Sequence, residues 1–128
     1  MANTITKQTL LNGPRNLVVK INISGDGSGE ESATSLIDVS AYDASEVVIE
    51  SIKAALNGFV MELLWDATAN VPIVEIPDYE YNLNGHQIGS AGGLWNNAGT
   101  GKTGDILFST TGLGAGDKGS VILKMRKK

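Results

Sequence analysis

Few residues in this chain combine the type and spacing that chemistry needs. Ala98–Gly104, AGTGKTG, looks like part of a phosphate-binding loop. The full motif requires a glycine five residues before Gly101, and Asn96 stands there. It also requires a following helix, whose N-terminus completes the anion site. Here Asp105-Ile106-Leu107-Phe108 follows, which reads as a strand, so a glycine-rich turn without nucleotide binding is expected. Asp26, Glu30 and Glu31 lie in a glycine- and serine-rich loop, but not at the spacing of an EF-hand. His86 is the only histidine, so it has no second imidazole for a metal site, and no G-x-S-x-G offers a nucleophile. Asp78 and Glu80 flank Tyr79 and share one side of an extended segment. Paired carboxylates can cleave glycosides, but few aromatics accompany them to stack a sugar. No activated nucleophile or acid–base pair is visible, so the expectation is a protein that is not an enzyme and carries no cofactor or metal.

Tyr79, Tyr81 and Trp95 are of a different kind. They are large, amphipathic and set in one long polar stretch. Such residues are enriched where proteins meet proteins, and they also serve to cap the open end of a sandwich.

The elements that must position these residues are strands. Glu46–Asp66 reads as two apolar strands around Asn57-Gly58, the dipeptide that supplies the positive φ angles of a tight hairpin. Phe59, Met61, Leu63 and Trp65 recur at every second position and define a core-facing side. A helix over Glu46–Leu56 is disfavoured, because Val47, Val48, Ile49 and Ile52 are β-branched. Asn16–Ser24 alternates cleanly, with Leu17, Val19, Ile21 and Ile23 on one side, as does Ser120–Arg126 with Val121, Leu123 and Met125. Thr4–Leu11, Ser35–Ser40, Val71–Ile76 and Asp105–Thr110 are further strands. Pro72 marks Val71–Ile76 as an edge or a strand start. Gly25–Ser32 reads as a mobile loop. Pro77–Gly104 holds one more short strand within a long loop. The expected fold is all-β: one domain over residues 1–128, an antiparallel β-sandwich or small barrel of about seven to nine short strands.

Composition narrows the functional classes. There is no cysteine, which excludes disulfides and thiolate metal sites. No apolar run approaches the roughly 18 residues of a membrane span, and the N-terminus lacks the apolar core of a secretory signal. The net charge of −4 argues against general nucleic-acid binding. Charge is unevenly placed. Residues 1–25 carry Lys7, Arg15 and Lys20 and no acid; residues 26–80 carry twelve of the fourteen acids with Lys53 as the only base. The end is basic again, with Lys118, Lys124, Arg126, Lys127 and Lys128. This pattern suits either a solvated surface with a lysine tail or complementarity with a neighbouring copy or an acidic partner.

The runs NTITKQTLLNGPRNLVVKINISGDG, SIKAALNGFVMELLWDATANVPI and NNAGTGKTGDILFSTTGL…GDKGSVILKMRKK together resemble a family of small virion proteins of tailed bacteriophages, especially marine and cyanobacterial ones. The likeness extends from Asn3 to Lys128 and is sharpest at Leu63–Thr68, Gly99–Leu107 and Leu123–Lys128. It implies a structural component of the particle and carries over no functional residue. Size and β-rich make-up then suggest a capsid decoration, or cement, protein located in the virion. Its partners would be the major capsid protein or other virion subunits, and it would form a homo-oligomer on the particle. The expected contact residues are Lys7, Arg15, Lys20, Tyr79, Tyr81, Trp95, Lys124, Arg126, Lys127 and Lys128. The alternatives are a tail or neck protein, and a carbohydrate-binding or adhesin module on the same kind of scaffold.

Overall fold

Strands with one apolar side must hide that side, and two sheets facing each other are the simplest way to do it. The computed structural model describes residues 3–27, 29–42, 44–84 and 99–127. Their strands are β1 (Thr4–Asn12), β2 (Asn16–Ser24), β3 (Thr34–Ile37), β4 (Val47–Asn57), β5 (Val60–Trp65), β6 (Val71–Ile76), β7 (Glu80–Asn84), β8 (Ile106–Thr111) and β9 (Lys118–Lys127). They form a five-stranded sheet in the order β1-β2-β9-β4-β7 and a four-stranded sheet in the order β3-β8-β5-β6, all antiparallel. The fold is therefore a β-sandwich and not a closed barrel. Among the described residues, no helix is long and apolar enough to cross a membrane.

The alternations read from the sequence are the core. Leu17, Val19 and Ile21 of β2 face Met125, Leu123 and Val121 of β9 in the ladder, Ile23 faces Gly119, and all seven apolar residues are buried. Met61, Leu63 and Trp65 of β5 are buried from the opposite sheet, as is Phe59 just before it. The strand carrying Pro72 is β6, at the edge of the four-stranded sheet. Its ladder skips Ile73, so the proline lies beside a bulge where its missing N–H breaks no pairing run.

One expectation is overturned. Glu46–Asp66 is two strands, but not a hairpin. β4 pairs with β9 and β7, whereas β5 pairs with β6 and β8. The Asn57-Gly58 turn carries the chain from one sheet to the other. Both strands have a strongly apolar side, and burial of those sides against each other outweighs edge-to-edge pairing of the two neighbours. Only Gly58 of the pair has a positive φ, +94°. Its N–H donates to Asp78 Oδ1 at 2.7 Å, and a Cβ there would collide with the Asp117 carboxylate.

β4 also contains a register shift between Ile49 and Ser51. Before it Val47 and Ile49 are buried; after it Ile52, Ala54 and Leu56 are. One unpaired residue, Glu50, switches the parity of the strand so that both halves keep an apolar side inward. Ser35–Ser40 is expected as one strand, but β3 ends at Ile37. Asp38 ends it: its Oδ1 accepts from the N–H and hydroxyl of Ser40, and its carbonyl accepts from Ala41 N. The chain then makes a single 3-10 turn over Val39–Tyr42.

The Gly58 corner gives a direct prediction. Gly58→Ala is expected to destabilise the protein by about 1–3 kcal/mol, and Gly58→Val by more, because a β-branched residue tolerates positive φ worst. Urea unfolding of both variants measures this. Variants as stable as the parent would contradict the backbone conformation at this turn.

Candidate functional site

The five-stranded sheet concentrates the positive charge. Seven of the ten Lys and Arg residues lie on its strands: Lys7, Lys20, Lys53, Lys118, Lys124, Arg126 and Lys127. The strands of the four-stranded sheet carry Glu62 and Glu75 and no base.

Pairing register shows how the bases meet. Ile122 of β9 has Lys20 of β2 directly across on one side and Lys53 of β4 on the other. Lys124, two residues along β9, lies between Val18 and Ser51. Their neighbours in sequence, Val19, Ile21, Ile52, Ala54, Leu123 and Met125, point into the core, so these residues point out. Strand spacing of roughly 4.8 Å and a rise of roughly 3.3 Å per residue place Lys20, Lys53 and Lys124 within about 10 Å of one another. That is comparable with the Debye length of physiological salt, so their potentials add. Arg126 completes the row and is held by Glu50, Nη1 to Oε2 3.3 Å. Half-buried Val18 and Ile122 lie among the cations, and the surrounding positions Gln8, Asn22, Ser51 and Ser120 are small or amide side chains.

Not every expected contact residue joins this patch. Lys7 pairs with Ile21, so it projects on the inner side of β1, where its Nζ donates to Ser35 O at 3.2 Å. Lys127 pairs with Val47, and its Nζ donates to Asn12 Oδ1 at 2.6 Å. Arg15 sits in the turn between β1 and β2 and accepts from the Lys127 N–H at its carbonyl. Lys124, Arg126 and Lys127 are not a tail: they lie in a strand flanked on both sides. Lys53 was missed as a member of the patch. Its outward position follows from the alternation of Ile52, Ala54 and Leu56, but its neighbours do not. Trp95, His86, Asn96 and Lys128 lie outside the described residues.

Tyr79 and Tyr81 come together elsewhere. The five-stranded sheet ends in β7 and the four-stranded sheet in β6, and the chain passes between them through Pro77. A cleft of about 600 Å³ opens at this edge. Tyr79, Tyr81, Val60 and Pro77 supply its apolar surface, with Glu75, Glu80 and Asn82 as its polar groups. Tyr81 is partly buried against the core, whereas Tyr79 is 68% exposed.

The polar side chains of the glycine-rich Gly99–Gly104 turn are engaged within the chain. Lys102 Nζ is 2.9 Å from Glu46 Oε1, and Thr103 Oγ1 donates to Asp66 Oδ2 at 2.9 Å. The strand β8 follows it, as expected from the sequence. Gly104 has φ +89°, and a Cβ there would collide with the Ser45 carbonyl oxygen, so close backbone approach accounts for the residue.

Within the Gly25–Ser32 segment, read from composition as mobile, Glu30 and Glu31 are tied to β8. The Glu30 carboxylate accepts from Thr110 Oγ1, Gly112 N and Leu113 N at 2.8, 2.8 and 3.0 Å. Glu31 exchanges backbone and side-chain hydrogen bonds with Thr110 and accepts from Asn3 Nδ2. These acids are the acceptors for donors at the end of β8. No group of three or more metal-ligating side chains occurs among the described residues.

No protein-family model matches the chain, and comparison with curated proteins gave no match.

Two carboxylates respond to their surroundings in opposite directions. Donation from Leu113 N–H and the Thr110 hydroxyl, helped by Gly112 N–H, lowers the pKa of Glu30 against a smaller opposing effect of burial. Its contribution to stability is complete above the ordinary carboxylate range and fades as pH falls through the lowered value. Glu30→Gln is therefore expected to lower the melting temperature at neutral pH, and the deficit should shrink in acid. Asp105 is shifted upward, first by burial and then by Asp38 and Asp66, against the Val39 N–H that donates to its Oδ1 at 3.0 Å. Here the folded state takes up the proton more readily than the unfolded chain, so ionisation at neutral pH opposes folding. Asp105→Asn retains the acceptor for Val39 and is expected to raise the melting temperature at neutral pH. The gain should vanish as pH falls through the raised value. Melting curves over pH 3–8 test both, and a gap independent of pH would refute either assignment.

Proposed function

We propose that this chain is a non-enzymatic structural protein of a tailed-bacteriophage virion, a decoration protein that binds the outer shell in many copies. The observation that carries this reading is the flat cationic side of the five-stranded sheet, with Lys20, Lys53, Lys124 and Arg126 around Ile122. On a chain of net charge −4, such segregation marks a surface for an acidic partner, here the major capsid protein or another virion subunit. The resemblance of Asn3–Lys128 to small virion proteins points to the particle. The scaffold suits a shell-binding role, with a sandwich core held by ladders on every strand and its polar loop ends tied down. Individually weak contacts become strong when many copies engage a repetitive shell.

Particles lacking the protein provide the test. Re-attachment should weaken as salt rises, because exposed charges are screened. The triple variant Lys20→Gln, Lys53→Gln, Lys124→Gln should bind roughly tenfold or more weakly at low salt, each exposed pair contributing up to about 1 kcal/mol. Its melting temperature should hardly change. Point substitutions serve better than a truncation after Met125, which would strip Arg126 and Lys127 from ladder positions against Asn16, Val48 and Val47. Attachment indifferent to salt and to the triple variant would sink the proposal. Mass spectrometry of purified particles separates the locations: hundreds of copies indicate shell or tail tube, a handful the neck or baseplate.

A further inference from the structure

The cleft at the β6–β7 edge is distinct from the cationic sheet side and has its own chemistry. Tyr79, in the bend before β7, and Tyr81, within β7, both line the cleft, the first exposed and the second partly buried against the core. The backbone that presents Tyr79 is held at both ends: its N–H donates to Pro77 O at 2.9 Å, and its carbonyl accepts from Leu56 N at 3.1 Å. Among the described residues, its ring is nevertheless the one aromatic of the exposed large apolar side chains. An ordered backbone bearing an exposed ring is pre-organised for a ligand.

The polar groups of the cleft select the ligand. Among the described residues, Glu75 and Glu80 line it and no basic side chain does. Asn82 Nδ2 donates to Glu80 Oε1 at 3.2 Å and holds that carboxylate at the rim. Lys53, paired with Asn82 across the ladder, shares the outer face of the sheet with Asn82 and stands beside the cleft without lining it. On β5, Glu62 stands directly across from Glu75, a like-charge cross-strand pair. Such pairs destabilise a sheet unless a positive charge is placed between or beside them. Phosphates and other anions are repelled by this lining. A neutral saccharide could stack on the rings but would leave the Glu62–Glu75 repulsion in place. A cation satisfies both features, since the faces of tyrosine rings attract positive charge and the carboxylates pair with it.

We propose that the cleft between β6 and β7 binds an organic cation, the ammonium or guanidinium group of a lysine or arginine side chain presented by a partner protein. The volume of about 600 Å³ exceeds that of one side chain, so the flanking peptide enters with it. This inference does not depend on the virion assignment, because it uses neither the cationic sheet side nor the resemblance.

The probes are the capped peptides acetyl-Gly-Lys-Gly-amide and acetyl-Gly-Arg-Gly-amide, titrated at low salt and followed by amide NMR shifts. The glutamine peptide and a neutral oligosaccharide serve as controls. Saturable binding is expected for the cationic peptides, with a dissociation constant on the order of millimolar. Shifts should centre on Val60, Glu75 and Tyr79–Asn82 and be lost at high salt. Tyr79→Ala and Glu75→Gln should each weaken binding roughly two- to fivefold. Both residues are exposed, so unchanged melting temperatures confirm that the loss is local. Peptide binding is read on the isolated protein and attachment on particles, so failure here is distinguishable from failure of the proposed function. Absence of a saturable shift with either cationic peptide overturns the inference. So does equal binding of the glutamine peptide, or binding of the oligosaccharide at these residues in place of the peptides.

Discussion

The register of β9 between β2 and β4 governs what this molecule can present to a partner. Leu123 is paired with Val19 on one side and Ile52 on the other, all three buried. Side chains alternate with a period of two, so a slip of one residue would turn Lys124 and Arg126 inward and Leu123 and Met125 to solvent. Exposing such apolar residues would forfeit roughly 1.5–3 kcal/mol each, besides the cost of burying charge. The outward row of Lys20, Lys53 and Lys124 is thus enforced by the core beneath it. The cationic surface needs no further device to hold its geometry.

Departures from regular pairing keep that alternation in step. The ladders skip Leu10 in β1, Leu36 in β3, Glu50 in β4 and Ile73 in β6. In β4 and β6 the skipped residue lets apolar residues of opposite parity share one side of a single strand. Glu50 is unpaired in the β4–β9 ladder, and its carboxylate holds Arg126 beside the patch. The acids of the loops act comparably. Glu30 and Glu31 bind donors at the end of β8, and Asp78 and Asp117 surround the Gly58 corner. Much of the excess negative charge therefore lies at loop ends and on the four-stranded sheet, away from the lysines.

The two candidate surfaces exploit different edges of one scaffold. The cationic side uses the middle of the five-stranded sheet, where neighbours on both sides hold each strand. The tyrosine-lined cleft uses the rim, where β6 and β7 each have one neighbour among the described strands. β1 shows the same edge effect on the far rim. Its residues are almost all exposed, including Leu10 and Leu11, and only Ile5 packs against the core.

The sequence by itself determined the class of fold, most strand positions, the apolar sides of β2, β5 and β9, and the edge placement of the strand with Pro72. These are local properties, set by side-chain alternation, turn residues and the missing donor of proline. Tertiary structure alone decided who neighbours whom. Asn57-Gly58 looks like a hairpin turn in any local reading, yet β4 and β5 lie in different sheets because each buries more apolar surface facing the other than lying beside it. Lys53 joins Lys20 and Lys124 only because β9 inserts between β2 and β4. Tyr81 and Glu75 line one cleft only because the two sheets end at the same rim. Charge asymmetry along the chain was legible, but its gathering onto one sheet was not. Pairing partners separated by up to about a hundred residues are selected by the summed burial of both sheets, a quantity that no local window contains.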